Sequence, residues 1–164
     1  MTSIRLRLNG ADLIEDVAPR MSLADFLRDR HNLTATHLGC EHGVCGACTV
    51  LLDGEPARAC LTLAASCDER EVESLEGLAA DPIVAALRDS FHRRHAVQCG
   101  FCTPGMLISA RDLIRRGRAG SEAEIRNGLA GNLCRCTGYT NIVSAIAEAA
   151  KTVAAQGAAQ GKGS

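Results

Sequence analysis

Between Gly39 and Cys48 the chain reads Gly-Cys-Glu-His-Gly-Val-Cys-Gly-Ala-Cys, with three thiols and three glycines in ten residues. Such a stretch fits neither a helix nor a paired strand, because glycine disfavours both and supplies positive φ where the backbone must fold tightly. It reads as a loop wrapped around something that its sulfurs hold. The whole sequence has nine cysteines, and eight of them fall into two groups of four: Cys40, Cys45, Cys48 and Cys60, then Cys99, Cys102, Cys134 and Cys136. Cys67 stands apart and reads as a small buried apolar residue on or near a strand.

Compartment and spacing together narrow what the thiols do. The start, Met-Thr-Ser-Ile-Arg-Leu-Arg-Leu, has no apolar core of a secretory signal, and no apolar run approaches the roughly 18 residues of a membrane span. A cytoplasmic location is the expectation, where thiols stay reduced and clustered cysteines mean metal or redox chemistry rather than disulfides. Cys40, Cys45 and Cys48 follow the C-x4-C-x2-C spacing of plant-type [2Fe–2S] sites, with Cys60 after eleven intervening residues as the fourth ligand. Glycines in such a loop let backbone N–H groups point at cluster sulfurs and tune the potential. The second group, C-x2-C plus C-x-C, falls in turns that lead into helix N-termini, which offer positive partial charge to an anionic thiolate site. Cys134 and Cys136 cannot both ligate from a helix, since residues two apart do not share a face. Spacing alone leaves a cluster and zinc both open, with a cluster favoured for the first group and neither favoured for the second.

Composition excludes other classes. One tyrosine, three phenylalanines, no tryptophan and a net charge of −1 give neither stacking platforms nor a field for nucleic acid. Ile4, Leu6 and Leu8 alternate with arginines as in a half-buried strand, and Asn9-Gly10 is a hairpin turn leading to a return strand over 12–18. Ser22 caps a short helix carrying Leu23, Phe26 and Leu27. Thr49–Leu52, Asp53-Gly54 and Pro56–Cys60 make a second hairpin, and Val72–Leu75 a last strand. Beyond residues 76–80 the signals become helical. Asp81-Pro82 and Thr103-Pro104 open two helices, the second ending near Gly117. Ser121 with Glu124 has the spacing of a capping box, and Thr140 starts a helix presenting Ile142, Ile146, Ala149 and Val153. The tail after Ala155 has little to bury and is expected to be disordered.

Three motifs carry a resemblance over residues 1 to about 153. They are Gly39-Cys40-Glu41-His42-Gly43-Val44-Cys45-Gly46-Ala47-Cys48-Thr49-Val50, then Gln98-Cys99-Gly100-Phe101-Cys102-Thr103-Pro104-Gly105-Met106, then Gly131-Asn132-Leu133-Cys134-Arg135-Cys136-Thr137-Gly138-Tyr139. In this order they resemble the two-cluster iron–sulfur small subunit of the molybdenum hydroxylases, the xanthine dehydrogenase, aldehyde oxidoreductase and aerobic carbon monoxide dehydrogenase family. The resemblance implies an α+β fold, with a ferredoxin-like β-grasp domain over 1–76 and a helical [2Fe–2S]-binding four-helix bundle over 77–154, before the tail of 155–164. It also implies that both groups hold [2Fe–2S] clusters. Cys99, Cys102, Cys134 and Cys136 would hold the one near the molybdenum cofactor, and Cys40, Cys45, Cys48 and Cys60 the one nearer FAD. Gln98 and Cys136 would inherit contacts to the pterin of the molybdenum cofactor.

The implied function is electron relay. Single electrons would pass from a molybdenum–pterin cofactor on a large subunit, through the two clusters, to FAD on a medium subunit. The assembly implied is a dimer of heterotrimers, with no nucleic acid and no membrane, and no catalytic residue in this chain. Substrate choice would belong to the large subunit. Many family members read Thr-Gly-Thr-Lys where this chain has Thr34-Ala35-Thr36-His37; some periplasmic relatives carry a twin-arginine leader on this subunit, whereas the pairs Arg93-Arg94 and Arg115-Arg116 are internal, in line with the cytoplasmic expectation. The alternatives are a free-standing ferredoxin-type carrier and a zinc-stabilised interaction module. His31, His37, His42, His92 and His95 are scattered and read as surface or packing residues, with His42 placed to hydrogen-bond locally in the first loop.

Overall fold

The computed structural model describes residues 1–160, and its architecture is α+β. Strands β1 (Thr2–Leu8) and β2 (Ala11–Val17) form an antiparallel hairpin. Both turn residues, Asn9 and Gly10, have positive φ, which is what a two-residue type I′ turn demands. Strands β3 (Thr49–Leu52) and β4 (Glu55–Arg58) repeat the device, with Asp53 and Gly54 at the turn. Strand β5 (Arg70–Glu73) completes a five-stranded mixed sheet of order β2-β1-β5-β3-β4, parallel only between β1 and β5.

Three local expectations are corrected. The last strand lies two residues earlier than Val72–Leu75, because β1 pairs with it from Leu6↔Arg70 to Leu8↔Val72 and the Asn9 side chain then takes the Ser74 N–H, ending the ladder. The second hairpin stops at Arg58, and Cys60 lies beyond it. The helix capped by Ser22, α1 (Leu23–Asp25), is a single turn that widens into a π-helical turn over Phe26–Arg30, burying Leu23, Ala24, Phe26 and Leu27. Cys67 is fully buried in a 3₁₀ turn, Ala64–Cys67.

Four further helices follow: α2 (Pro82–Arg93), α3 (Thr103–Arg115), α4 (Glu122–Gly128) and α5 (Thr140–Gln160). Their starts are chemically explicit. Asp81 accepts from the N–H groups of Ile83 and Val84, and Ser121 with Glu124 forms a complete capping box. The second carboxylate oxygen of Asp81 takes Arg111, which ties the start of α2 to α3. The disordered tail expected from residue 155 is also corrected, since α5 continues to Gln160. Alanine and glutamine extend an already nucleated helix at little cost, and Gly157 alone opposes it. Residues 161–164 lie outside the described residues.

The helices share one apolar cluster, built on Leu87, Met106, Ile125, Leu129, Ile142 and Ile146. The sheet packs on α1 around Ile4, Leu6, Leu23, Phe26 and Val50. Strand β3 is buried throughout because it serves both sides: Val50 and Leu52 face α1, whereas Leu51 joins Leu78, Val84 and Ile108 in a third cluster between the halves. Burial of Leu51 or Ile108 contributes about 1.5–3 kcal/mol.

Polar contacts then set the halves in register. The Gly46 carbonyl accepts from the Thr49 hydroxyl at 2.6 Å and from the Asn132 side-chain amide at 3.2 Å. Asn132, 2% exposed, accepts in turn from Ser109 at 2.8 Å. Arg58 spans the joint, donating to Thr49 Oγ1 and to the Gly131 carbonyl, each at 2.7 Å. Helix α3 reaches this point only because residue 105 is glycine, as a Cβ there would overlap the Gly46 carbonyl oxygen. Gly105→Ala should therefore destabilise the chain by about 1–3 kcal/mol, read as a lower denaturant midpoint at unchanged m-value.

Candidate functional site

The first cysteine loop coils through left-handed backbone at Glu41, Gly43 and Gly46. That path turns successive N–H groups inward, so the Cys40 sulfur accepts from the N–H of His42 and of Cys45, both at 3.4 Å. Cys45 and His42 lower the Cys40 thiol to a pKa of about 6, because each N–H stabilises the thiolate. Cys48 directly precedes β3 and Cys60 follows β4. The hairpin brings them together, with Ala59 N–H bonded to the Cys48 carbonyl at 3.2 Å. Burial pushes the Cys60 thiol up to about 11, and the neighbouring Cys48 sulfur adds to this. His42 bonds the Cys40 carbonyl through Nδ1, the local contact anticipated for it.

The second loop pair meets in the same manner. Cys99 and Cys102 lie in the turn that enters α3, with Gly100 at positive φ and Cys102 at the cap position. Cys134 and Cys136 lie in the irregular segment before α5. Cys99 and Cys136 bring their sulfurs to 3.5 Å. The Phe101 N–H lowers the Cys99 pKa, whereas the Cys99 sulfur raises that of Cys136. Burial raises Cys102 to about 12. Burial also opposes the Cys134 thiolate, but the Thr137 hydroxyl and N–H outweigh it and lower that pKa.

All nine cysteines are free thiols. Within both groups the thiols act on one another's charge, Cys48 and Cys40 on Cys60 and Cys134 and Cys99 on Cys102, and the Cys99 and Cys136 sulfurs lie 3.5 Å apart. Among the described residues no three His, Cys, Asp or Glu side chains close on one point as they do around a single tetrahedral ion. Four neighbouring thiols per group suit a two-iron cluster, in which each iron takes two thiolates. Gln98 and Cys136 are exposed at the rim of the second group, while Cys67 packs within the sheet's apolar core, its thiol pushed up by burial.

Sequence reasoning missed the residues that set these loops. Leu133 N–H donates to the Cys45 carbonyl at 2.8 Å, joining a residue beside Cys134 to a member of the first group. The Tyr139 hydroxyl accepts from Cys134 N–H at 2.8 Å and donates to the Asn132 carbonyl at 3.2 Å, bracing the Cys134–Cys136 loop from within. The motif held both residues, yet their partners depend on how the chain folds back.

Comparison with known proteins agrees with this geometry. Residues 6–79 match the model of a 2Fe-2S iron-sulfur cluster binding domain, and residues 74–147 that of a [2Fe-2S] binding domain. The chain is 49% identical over 152 residues to the caffeine dehydrogenase subunit gamma of Pseudomonas sp. (strain CBB1), covering 91% of each chain. It is 40% identical over 152 residues to the xanthine dehydrogenase iron-sulfur-binding subunit of Escherichia coli O157:H7, covering 92% of this chain and 95% of that one. The crystal structure of quinoline 2-oxidoreductase from Pseudomonas putida 86 contains a chain that superposes with TM-score 0.88 at 48% identity, covering 95% of this chain and 97% of that one. Two [2Fe–2S]-binding domains on one α+β chain define an iron–sulfur subunit of an oxidoreductase. The chain belongs to the iron–sulfur small subunits of the molybdenum hydroxylases, the xanthine dehydrogenase family.

Removing one hydroxyl tests the bracing of the second loop. Tyr139→Phe strands the Cys134 N–H and the Asn132 carbonyl, and should cost about 0.5–1.5 kcal/mol, measured by chemical denaturation.

Proposed function

We propose that this chain is the electron-transfer subunit of a heterotrimeric molybdenum hydroxylase. It would carry single electrons from a molybdenum–pterin cofactor on a large subunit, through two [2Fe–2S] clusters, to FAD on a medium subunit. Cys40, Cys45, Cys48 and Cys60 hold one cluster on a ferredoxin-like β-grasp domain over residues 1–76. Cys99, Cys102, Cys134 and Cys136 hold the other on a four-helix bundle over 77–154. When bound, each cluster supplies a one-electron couple whose potential depends on charge, exposure and hydrogen bonds to its sulfurs.

The carrying observation is the 2.8 Å hydrogen bond from Leu133 N–H to the Cys45 carbonyl, which links the two thiol groups directly through backbone. Each group also opens to the surface beside exposed apolar side chains. Val44 and Leu61 flank the first loop, and Val97, Phe101 and Leu133 the second. Exposed apolar side chains beside both groups suit docked subunits and weigh against a free-standing carrier. Gln98, at the outer rim of the second group, is assigned the pterin contact together with Cys136. That assignment leaves the first group to face the flavin subunit. Among the described residues no helix is long and apolar enough to cross a membrane, and we assign the complex, as a dimer of heterotrimers, to the cytoplasm.

Anaerobically purified protein should hold about four iron and four acid-labile sulfides per chain. Cys45→Ser should abolish one of two paramagnetic signals of the reduced protein and keep the other. Loss of both would mean that the sites are not independent, and zinc in place of iron would sink the relay reading. Gln98→Ala should keep both signals but slow reduction of the clusters by substrate in the assembled complex, and unchanged turnover would remove its role.

A further inference from the structure

His37 reaches from the sheet half of the molecule to the loop that carries Cys99 and Cys102. Its Nδ1 lies 2.7 Å from the Phe101 carbonyl oxygen, and a carbonyl only accepts, so Nδ1 bears the proton and donates. The imidazole also stacks on the Phe101 ring, with centroids 4.8 Å apart and planes inclined by 21°. The segment that presents His37 is itself held. Arg28 donates to the carbonyls of Thr34 and Thr36 at 3.0 and 3.1 Å, and Ala35 N–H is bonded to Glu76 at 2.9 Å.

Phe101 is 47% exposed, yet both its backbone polar groups are engaged. Its N–H stabilises the Cys99 thiolate. The peptide beyond it carries the N–H of Cys102, the cap residue of α3. The imidazole N–H and the peptide that enters a ligand residue thus stand in series. Donation into a carbonyl polarises the amide at the other end of the same peptide, and so strengthens its own donation. Amide donation to a thiolate favours the more negative, reduced state of a bound cluster and raises its potential.

We infer that His37 is a positioning residue for the second cysteine group, acting through Phe101 to hold and polarise the peptide that precedes Cys102. The role presupposes the cluster on Cys99, Cys102, Cys134 and Cys136 proposed above. The Phe101 ring also lies close to Gly39, where a Cβ would meet it at 3.2 Å, so the clamp seats itself between the two cysteine loops. His37 is therefore more than a packing residue.

The test is a potentiometric titration of the full chain with the subunits that copurify with it, following both paramagnetic signals in wild type, His37→Ala and His37→Asn. Asparagine keeps an N–H donor near the place of Nδ1. His37→Ala should lower the midpoint of the signal that Cys102→Ser abolishes and leave the other in place, and His37→Asn should restore it. Selective loss of that signal in His37→Ala, with recovery in His37→Asn, supports the same role. An unchanged or raised midpoint, an equal shift of both signals, or equal damage by alanine and asparagine overturns it. Iron and sulfide analysis of the wild type separates the two levels of failure. A wild type without clusters overturns both the subunit reading and the role of His37, whereas two clusters with a midpoint indifferent to residue 37 overturn the role alone.

Discussion

The packing that sets the two cysteine groups against each other centres on the carbonyl of Gly46. Thr49 and Asn132 donate to it, Arg58 bonds Thr49 and Gly131 behind it, and the Cα of Gly105 packs against it. The groups are buried or half-buried, so their hydrogen bonds are not traded against water one for one, and losing a partner costs the full desolvation of the other. Two glycines make the approach possible, since a Cβ at residue 46 would overlap the Gly131 carbonyl oxygen and one at 105 that of Gly46. The separation of the two thiol groups is thus set by backbone packed on backbone, the least adjustable contact a protein has.

Around that joint each group solves the same electrostatic problem in its own way. A thiolate needs compensation, and here much of it comes from main-chain N–H groups: His42 and Cys45 for Cys40, Phe101 for Cys99, Thr137 for Cys134. Burial instead raises the thiols of Cys60 and Cys102. Each group therefore combines thiolates stabilised by N–H donors with a thiol that disfavours charge until a cation compensates it.

Much of the fold was legible from short-range chemistry. Asn9-Gly10 and Asp53-Gly54 can hardly do other than turn a hairpin, and Asp81-Pro82 and the Ser121–Glu124 pair start helices for reasons contained within four residues. Where the reading slipped, the deciding interaction was distant or continuous with something already built. The place of β5 depends on its parallel pairing with β1 and on the Asn9 side chain, more than sixty residues away. The stretch 155–160 was judged by what it could bury, yet its alanines continue a helix whose nucleation was settled upstream. The π-helical turn after α1 follows from fitting Phe26 and Leu27 beneath the sheet, a demand invisible in their spacing.

By itself the sequence determined the chemistry: eight thiols in two sets, spaced by glycines, with motifs specific enough to name the family, because ligand spacing and turn residues act over a few bonds. Only the tertiary structure decided how the four sulfurs of each group gather and how the two loops lock. Only there does Asn132 become a hinge pin and His37 a contact to the second loop. Those roles require residues far apart in the chain, such as Gly46 and Asn132 or His37 and Phe101, to meet at hydrogen-bonding distance. Such meetings are products of the packed core rather than of any local pattern.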